Sequence, residues 1–395
     1  MVSSFFYIAQ GKIHLRDPNG ATKVIDSKFG QSLSDRANQI RQRNAWKTQG
    51  TGAKFMSGGM LWGAEAEEQA QIPVVINAIT RGIGDSEILY SLATNEIGGV
   101  FSLNYVNGDE QRLLHTSDFR ISQLCANATE NKIACVMRNG PNSHIATMRG
   151  DGGEVTELTQ GDSLDSGPVW RSGHDFDLVF QSAGIARNAG GFVVGKSPSQ
   201  VMAINTTTGE SEILLGDDKH DYFHPNVDSA GDIYCIRKPY VSPQVTFSPI
   251  RAALDLILLP FRLLFAVFQF FNFFAMRYSG KTLVSSGDIR QKQGDLRHMM
   301  IMDNLMQATH SARDFGINDQ WKVSKDWTLI RKTRDGHVEE LERGVLSYDL
   351  CEDGLLLCDG SRISLRHPDG TRQELAKDQF ISQILAVPVT TAAKP

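Results

Sequence analysis

The sequence predicts an all-β fold, a six-bladed β-propeller with helical insertions on one face, and three observations point there. A hairpin-like unit recurs along the chain, a further strand-like pair precedes most copies, and the C-terminal segment matches an innermost strand that the N-terminal copy lacks. The recurring unit is an alternating apolar run, a tight turn carrying Gly with Asp or Asn, and a second run with aliphatic residues. Its copies are KIHLRDPNGATKVID from Lys12, VFSLNYVNGDEQRLLH from Val100, HIATMRGDGGEVTELT from His144, VMAINTTTGESEILL from Val201, TLIRKTRDGHVEELE from Thr328 and RISLRHPDGTRQELA from Arg362. Each puts Asn-Gly, Asp-Gly or a near equivalent where a short β-turn needs positive φ, which Gly adopts without strain. Asn19-Gly20, Asn107-Gly108, Asp335-Gly336 and Asp369-Gly370 are the plainest.

Upstream of most copies lies another pair, in which SEILYSLAT, NKIACVMRN, FDLVFQSAG, GDIYCIRKP and GLLLCDG each follow a strand-like segment and a polar turn. Every repeat is thus read as four short strands, and the 44 residues from Gly108 to Gly152 fit one blade. FISQILAVP from Phe380 matches the innermost-strand segment FRISQLCA from Phe119, while the chain starts with a second-strand segment, FFYIAQ. The strand at 380–388 is therefore expected to complete the N-terminal blade, making residues 1–395 a single propeller with no open sheet edge. Aligned in this way, Cys135, Cys235 and Cys358 share the second-strand slot that Phe180 fills in the fourth blade, so they read as small buried hydrophobes.

These blades resemble the TolB-like family of WD-repeat-related propellers, most clearly in GGEVTELTQGDSLDSGPVW, where an outer strand ending in Leu-Thr leads to a Pro-aromatic innermost strand. The resemblance implies a propeller architecture and a protein-binding habit. The chain departs from that family in showing neither an export signal nor a separate N-terminal α/β domain, so a periplasmic role is not implied.

Bulk properties narrow the function. With 22% charged residues and a net charge of -5, the chain lacks the basic excess of a nucleic-acid binder. MVSSFFYIAQGKIH has no basic leader, apolar core or small-residue cleavage site, and five cysteines over 395 residues suit reduced thiols better than a disulfide framework. A cytoplasmic protein is expected.

The repeat is interrupted at 31–72, at 183–199 and at 243–320. The first joins an outer strand to the next inner strand and the others join second to third strands, so in an up-down meander all three emerge on one face, the functional candidate. Within the largest, a Phe-rich helix is predicted over 249–279. LDLILLPFRLLFAVFQFFNFFAM, from Leu254 to Met276, contains seven Phe. At helical spacing Arg251, Asp255, Arg262, Gln269 and Asn272 make a narrow polar stripe on an apolar cylinder. The apolar contacts expected are Leu254, Leu258, Phe261, Leu264, Phe265, Phe268, Phe270, Phe271, Phe273 and Phe274, with Arg251, Arg262, Arg277 and Lys281 near acidic headgroups. Each buried Phe contributes roughly 1.5–3 kcal/mol, so the surface demands a membrane, a partner or another protomer. A single span is disfavoured because both ends must return to adjacent strands, and the polar remainder cannot cross back. The segment 31–72 carries a helical pattern, SLSDRANQIRQRNAWK, and a Gly-rich stretch with Trp46, Phe55 and Trp62. These aromatics suit either a second contact loop or a plug for one end of the channel.

Sequence motifs give little chemistry. The phosphate-loop-like run from Ala275 to Thr282 has Met, Arg, Tyr and Ser where a phosphate cradle needs glycines. No nucleophile elbow, H-E-x-x-H, C-x-x-C pair or dinucleotide fingerprint appears. His220, Asp221 and His224 are the nearest approach to a metal or acid/base cluster, and without a convincing third ligand they read as a turn with surface histidines. The expectation is a non-enzymatic scaffold with no cofactor, peripheral to the inner face of the membrane. Its partners would be lipid, another protein or a second copy of itself. The rival is a soluble interaction module using the same helix as its interface.

Overall fold

The computed structural model describes residues 4–32, 35, 75–93, 98–116, 120–139, 142–171, 173–191, 193–241 and 322–387. The chain divides into two compact units, of which the first comprises Met1–Lys28, Val74–Pro243 and Arg297–Pro395. Of the second unit, Phe29–Pro73 with Gln244–Leu296, only residues 29–32 and 35 are described. They are helical, with the Ser32 hydroxyl donating to the Phe29 carbonyl at 2.8 Å.

Among the described residues of the first unit the regular structure is almost wholly β. It starts with β1 (Phe5–Ala9), β2 (Lys12–Arg16) and β3 (Thr22–Ile25), then β4 (Val75–Arg81), β5 (Glu87–Ala93), β6 (Gly98–Asn104) and β7 (Glu110–Thr116). A third meander holds β8 (Arg120–Asn127), β9 (Lys132–Asn139), β10 (Asn142–Arg149) and short β11 (Thr156–Glu157). The fourth holds β12 (Ser163–Trp170), β13 (Leu178–Arg187), β14 (Val193–Lys196), β15 (Gln200–Ile204) and β16 (Ser211–Leu215). Two further meanders follow, β17 (His220–Val227), β18 (Ile233–Pro239), β19 (Thr328–Lys332) and β20 (Val338–Arg343), then β21 (Ser347–Cys351), β22 (Gly354–Cys358), β23 (Arg362–Arg366) and β24 (Arg372–Lys377). The last strand, β25 (Ile381–Ala386), pairs antiparallel with β1 and gives the order β25-β1-β2-β3. The third and fourth meanders touch through one parallel pair, Ser143 with Leu164.

The outer hairpins form where the turn residues direct them. Gly108 and Gly336 take φ of 75° and 88°, the left-handed turn geometry that Asn-Gly and Asp-Gly pairs favour. Between successive sheets lie apolar layers. Leu89, Val100, Ile121 and Cys135 join the second meander to the third, while Ala134, Val136, Trp170 and Phe180 join the third to the fourth. Val179 and Cys235 continue the series, and Tyr234, Ile236, Leu329 and Leu357 extend it to the sixth meander. Phe5, Tyr7, Leu356 and Ile384 pack the sixth meander onto the first. Each second strand is therefore sandwiched and buried on both faces, which explains runs such as KIACVM and DLVF that are apolar without alternating.

Two expectations need correction. Cys135, Cys235 and Phe180 do face the preceding sheet, but Cys358 faces the following one, and Leu357 fills the expected slot. Alignment by residue type slipped by one position there, and a one-residue slip in a strand reverses the face. The break at 183–199 is largely strand, because β13 runs on to Arg187 and β14 returns along it through Ile185–Lys196 and Ala186–Gly195 pairs. The helices expected within 31–72 and at 249–279 lie outside the described residues, apart from the short turn at 29–32 and 35.

Candidate functional site

The first strands of the meanders converge. β4, β8, β12, β17, β21 and β25 all contribute to one cavity of about 290 Å³. Five of them break register against their second strand at the cavity wall, between Ile76 and Ala78, Ile121 and Leu124, Ser166 and Val169, Phe223 and Asn226, and Ile381 and Gln383. A bulge re-aims the residues it skips, and Asn77, Gln123, Gly167 and His224 accordingly line the cavity. Gly167 and His224 carry φ of 62° and 47° at these bends.

Side chains around the cavity fasten several of these strands to their neighbours. The Gln383 amide holds both backbone groups of Ile79, accepting from its N–H at 3.0 Å and donating to its carbonyl at 2.8 Å. Gln123, at the equivalent place in the second Ile-Ser-Gln motif, accepts from the Gly167 N–H. The Gln181 carbonyl oxygen accepts from the His224 N–H at 2.7 Å, and the Tyr348 hydroxyl donates to the His224 carbonyl at 2.7 Å. Asp349 accepts from the Ala386 N–H at 2.8 Å and the Asn226 amide at 3.4 Å, with Arg81 3.6 Å away. Burial pushes the Asp349 carboxyl up, although Arg81 and the hydrogen bonds oppose it.

A second cavity of about 60 Å³ shares Gln123 and His224 with the first. It lies at the end of the channel where second strands finish and third strands begin. Arg138, Lys196 and Lys238 line it together with Phe223 and Trp327. The Lys238 ammonium sits 4.7 Å from the Phe223 ring centroid and 5.2 Å from that of Trp327, a cation–π arrangement. Buried Asp221 lies 3.7 Å from the Lys196 nitrogen and 3.8 Å from that of Lys238, while accepting from the Ser199 N–H at 2.8 Å. Burial pulls Lys238 down to about 8, with Lys196 adding to the shift and Asp221 opposing it.

The histidine cluster read from the sequence is divided by the bulge in β17. The His220 ring contacts Asp217 at 2.9 Å, and the Tyr222 hydroxyl donates to the same carboxylate at 2.7 Å. Burial raises Asp217, but the bonds from Tyr222, His220 and the Lys219 and His220 amides outweigh it and hold the carboxyl well below the usual range. His224 is not a surface histidine. It lines both cavities, and burial pulls it down to about 4, so the ring is neutral at pH 7. Among the described residues, no group of three or more His, Cys, Asp or Glu is placed to hold a metal ion.

No family model matches the sequence. No curated protein matches it. Solved structures do. A chain of a nidogen/laminin complex superimposes with TM-score 0.52 over 98% of this chain and 98% of its own, at 7% identity. TolB from Acinetobacter baumannii superimposes with TM-score 0.50 over 97% of this chain and 66% of its own, at 10% identity. The fold is propeller-like. At such identities the likeness concerns the fold alone.

The contact residues expected from sequence, Leu254 to Lys281 with Arg251, and Trp46, Phe55 and Trp62, lie outside the described residues of this propeller-like chain. Among the described residues no helix is long and apolar enough to cross a membrane. The channel-end cluster escaped the sequence reading because Arg138, Lys196, Lys238 and Trp327 come from four separated stretches. One signal was visible, since the repeated Ile-Ser-Gln marked both glutamines that fasten inner strands.

Proposed function

We propose that the chain is a six-bladed propeller serving as a cytoplasmic, non-enzymatic scaffold, attached to the inner face of a membrane through the Phe-rich segment 249–279. The convergence of six first strands on one cavity supports the blade count, and the β25–β1 pairing supports a closed, rigid platform. The carrying observation is the apolar run Leu254–Met276, set in sequence between two neighbouring strands of one sheet, β18 and β19. As an interfacial helix it would bury its Phe and Leu side chains while Arg251, Arg262, Arg277 and Lys281 met acidic headgroups.

Co-sedimentation with vesicles containing anionic lipid tests this, comparing the full chain with a deletion of 249–279 whose thermal unfolding matches it. The full chain is expected to partition and the deletion to stay in solution; equal partitioning sinks the membrane reading. The second reading, a soluble module in which the same segment is an oligomer or partner interface, rests on the same apolar surface. It predicts a deletion that lowers the mass in solution and leaves vesicle binding unchanged.

A further inference from the structure

We propose that the cavity of about 290 Å³ is a binding site for an uncharged, hydroxyl-rich small molecule, a monosaccharide or cyclic polyol, held by Asn77, Gln123 and His224. These three residues sit where β4, β8 and β17 slip out of register against their second strands, so one backbone device turns each of them toward the cavity. His224 does so in the left-handed region, at φ of 47°, which a residue with a side chain adopts at a cost. The placement leaves bonding capacity open. Gln383 and Tyr348 direct their polar atoms to the backbone of neighbouring strands. Among the described residues, by contrast, the Asn77 amide, the Gln123 amide nitrogen and both His224 ring nitrogens have no partner, since Gln123 engages only its carbonyl oxygen and His224 only its backbone. Sealed side-chain polar atoms without a partner belong to Ser91, Ser122 and Arg171 alone among the described residues, so the open groups of Asn77, Gln123 and His224 face accessible space.

The charges of the wall select against ions. Arg81 and Asp349 lie 3.6 Å apart, with Arg81 also bonded to the Ala386 carbonyl at 3.1 Å and Asp349 to the Ala386 N–H at 2.8 Å. Burial holds the His224 ring neutral at pH 7 by pulling it down to about 4, and the Cys125 thiol neutral by pushing it up to about 11. A charged ligand would give up its hydration for a wall with no open counter-charge. Amides and a neutral imidazole each offer a donor and an acceptor, which is what a hydroxyl group needs on both of its sides. Pro168, Val169 and Pro225 supply an apolar patch for the C–H face of a ring, and ligand pockets start at about this volume, roughly 300 Å³. The site is formed by the first strands themselves and stands whether or not the segment 249–279 meets a membrane.

Isothermal titration of the full chain at pH 7 tests the proposal, with D-glucose, D-ribose and myo-inositol in separate arms and succinate and ethanolamine as charged counterparts. Saturable one-to-one binding is expected in at least one neutral arm and in neither charged arm. Asn77→Ala removes a side chain bonded to no described residue, so it should keep the melting temperature and weaken binding about fivefold. His224→Asn accepts the same left-handed backbone and should weaken binding by a similar factor, which reads a second contact should either variant fold poorly. Glu374→Ala, on the exposed rim, should bind as the unaltered chain does. No saturable heat in any neutral arm, tighter binding of either ion, or undiminished binding in Asn77→Ala overturns the assignment, and so does equal weakening in Glu374→Ala.

Discussion

The rim and the channel of the same sheets are built on different rules. The outer strands β3, β7, β16, β20 and β24 are largely exposed and carry ion pairs such as Arg362–Glu374 at 3.4 Å and Lys377–Glu374 at 2.9 Å, which contribute little in water. Their geometry is local, because a Gly a few residues away sets each hairpin. The channel strands are bulged and fastened by enclosed polar groups whose partners are remote, as with Gln383 and Ile79, 304 positions apart. An exposed rim can lose a charge and replace it with water. The channel cannot, since a group stripped of its partner there has restricted access to solvent.

The largest effect is expected from the enclosed thiols, Cys135 and Cys358 in the apolar layers and Cys125 on the channel wall. Burial pushes the thiols of Cys125, Cys135 and Cys358 up to about 11, 12 and 12, from an ordinary value near 9. In the unfolded chain they ionise near pH 9 while the folded chain keeps them neutral. Their stabilisation is therefore complete below pH 9 and is lost as pH rises toward 12, at about 1.4 kcal/mol per unit for each thiol. Together that approaches the whole stability of an ordinary domain by about pH 11. Urea midpoints should fall steeply above pH 9, and less steeply in Cys135→Ala. A midpoint flat from pH 9 to 10.5 would show that water reaches these thiols.

Next comes Asp349. Truncation to Ala leaves the Ala386 N–H and the Asn226 amide without their carboxylate acceptor, while the half-exposed Arg81 keeps its bond to the Ala386 carbonyl, and should cost about 2 kcal/mol in chemical unfolding. Glu374→Ala at the rim should cost under about 0.5 kcal/mol. Similar losses in the two variants would erase the distinction between rim and channel. His224 follows. Its folded value near 4 lies below the unfolded value near 6.5, so the stability it contributes is present above pH 6.5 and lost as pH falls through 4. His224→Asn keeps a residue that accepts the left-handed backbone, and its acid limb should be shallower by up to about 3 kcal/mol at pH 4. Melting curves from pH 7 to 4 read this directly, and parallel wild-type and variant limbs would mean that the channel admits the charged ring.

The same division decided what the sequence disclosed. Hairpins at Gly108 and Gly336 were legible because a turn's φ requirement is written in two adjacent residues. The buried second strands were legible because sandwiching removes alternation. Face assignment was weaker, as Cys358 shows, since residue type alone does not fix a register that depends on pairing. The channel was hardest to read. His220 and His224 read from sequence as one cluster at a turn, and only the bulge between Phe223 and Asn226 separates a residue bonded to Asp217 from one that lines the cavities. Lys196 and Lys238 carried no sign of their shared carboxylate, because Asp221 comes to them from a different strand.

Glycine offers the finest test of the comparison. Gly336 at the rim and Gly167 in the channel both have positive φ, at 88° and 62°, so alanine at either meets a backbone penalty of about 1 kcal/mol. A Cβ on Gly336 would find no heavy atom within 4 Å, so the backbone penalty is its entire cost. At Gly167 the same atom would lie 3.0 Å from Cδ of Pro225, on the neighbouring meander, and the Gly167 N–H must also keep its bond to Gln123. Gly336→Ala should therefore lower the unfolding free energy by about 1 kcal/mol, and Gly167→Ala by more. If the two variants melt together, the channel strands yield as readily as exposed turns, and the polar fastening does not make them rigid.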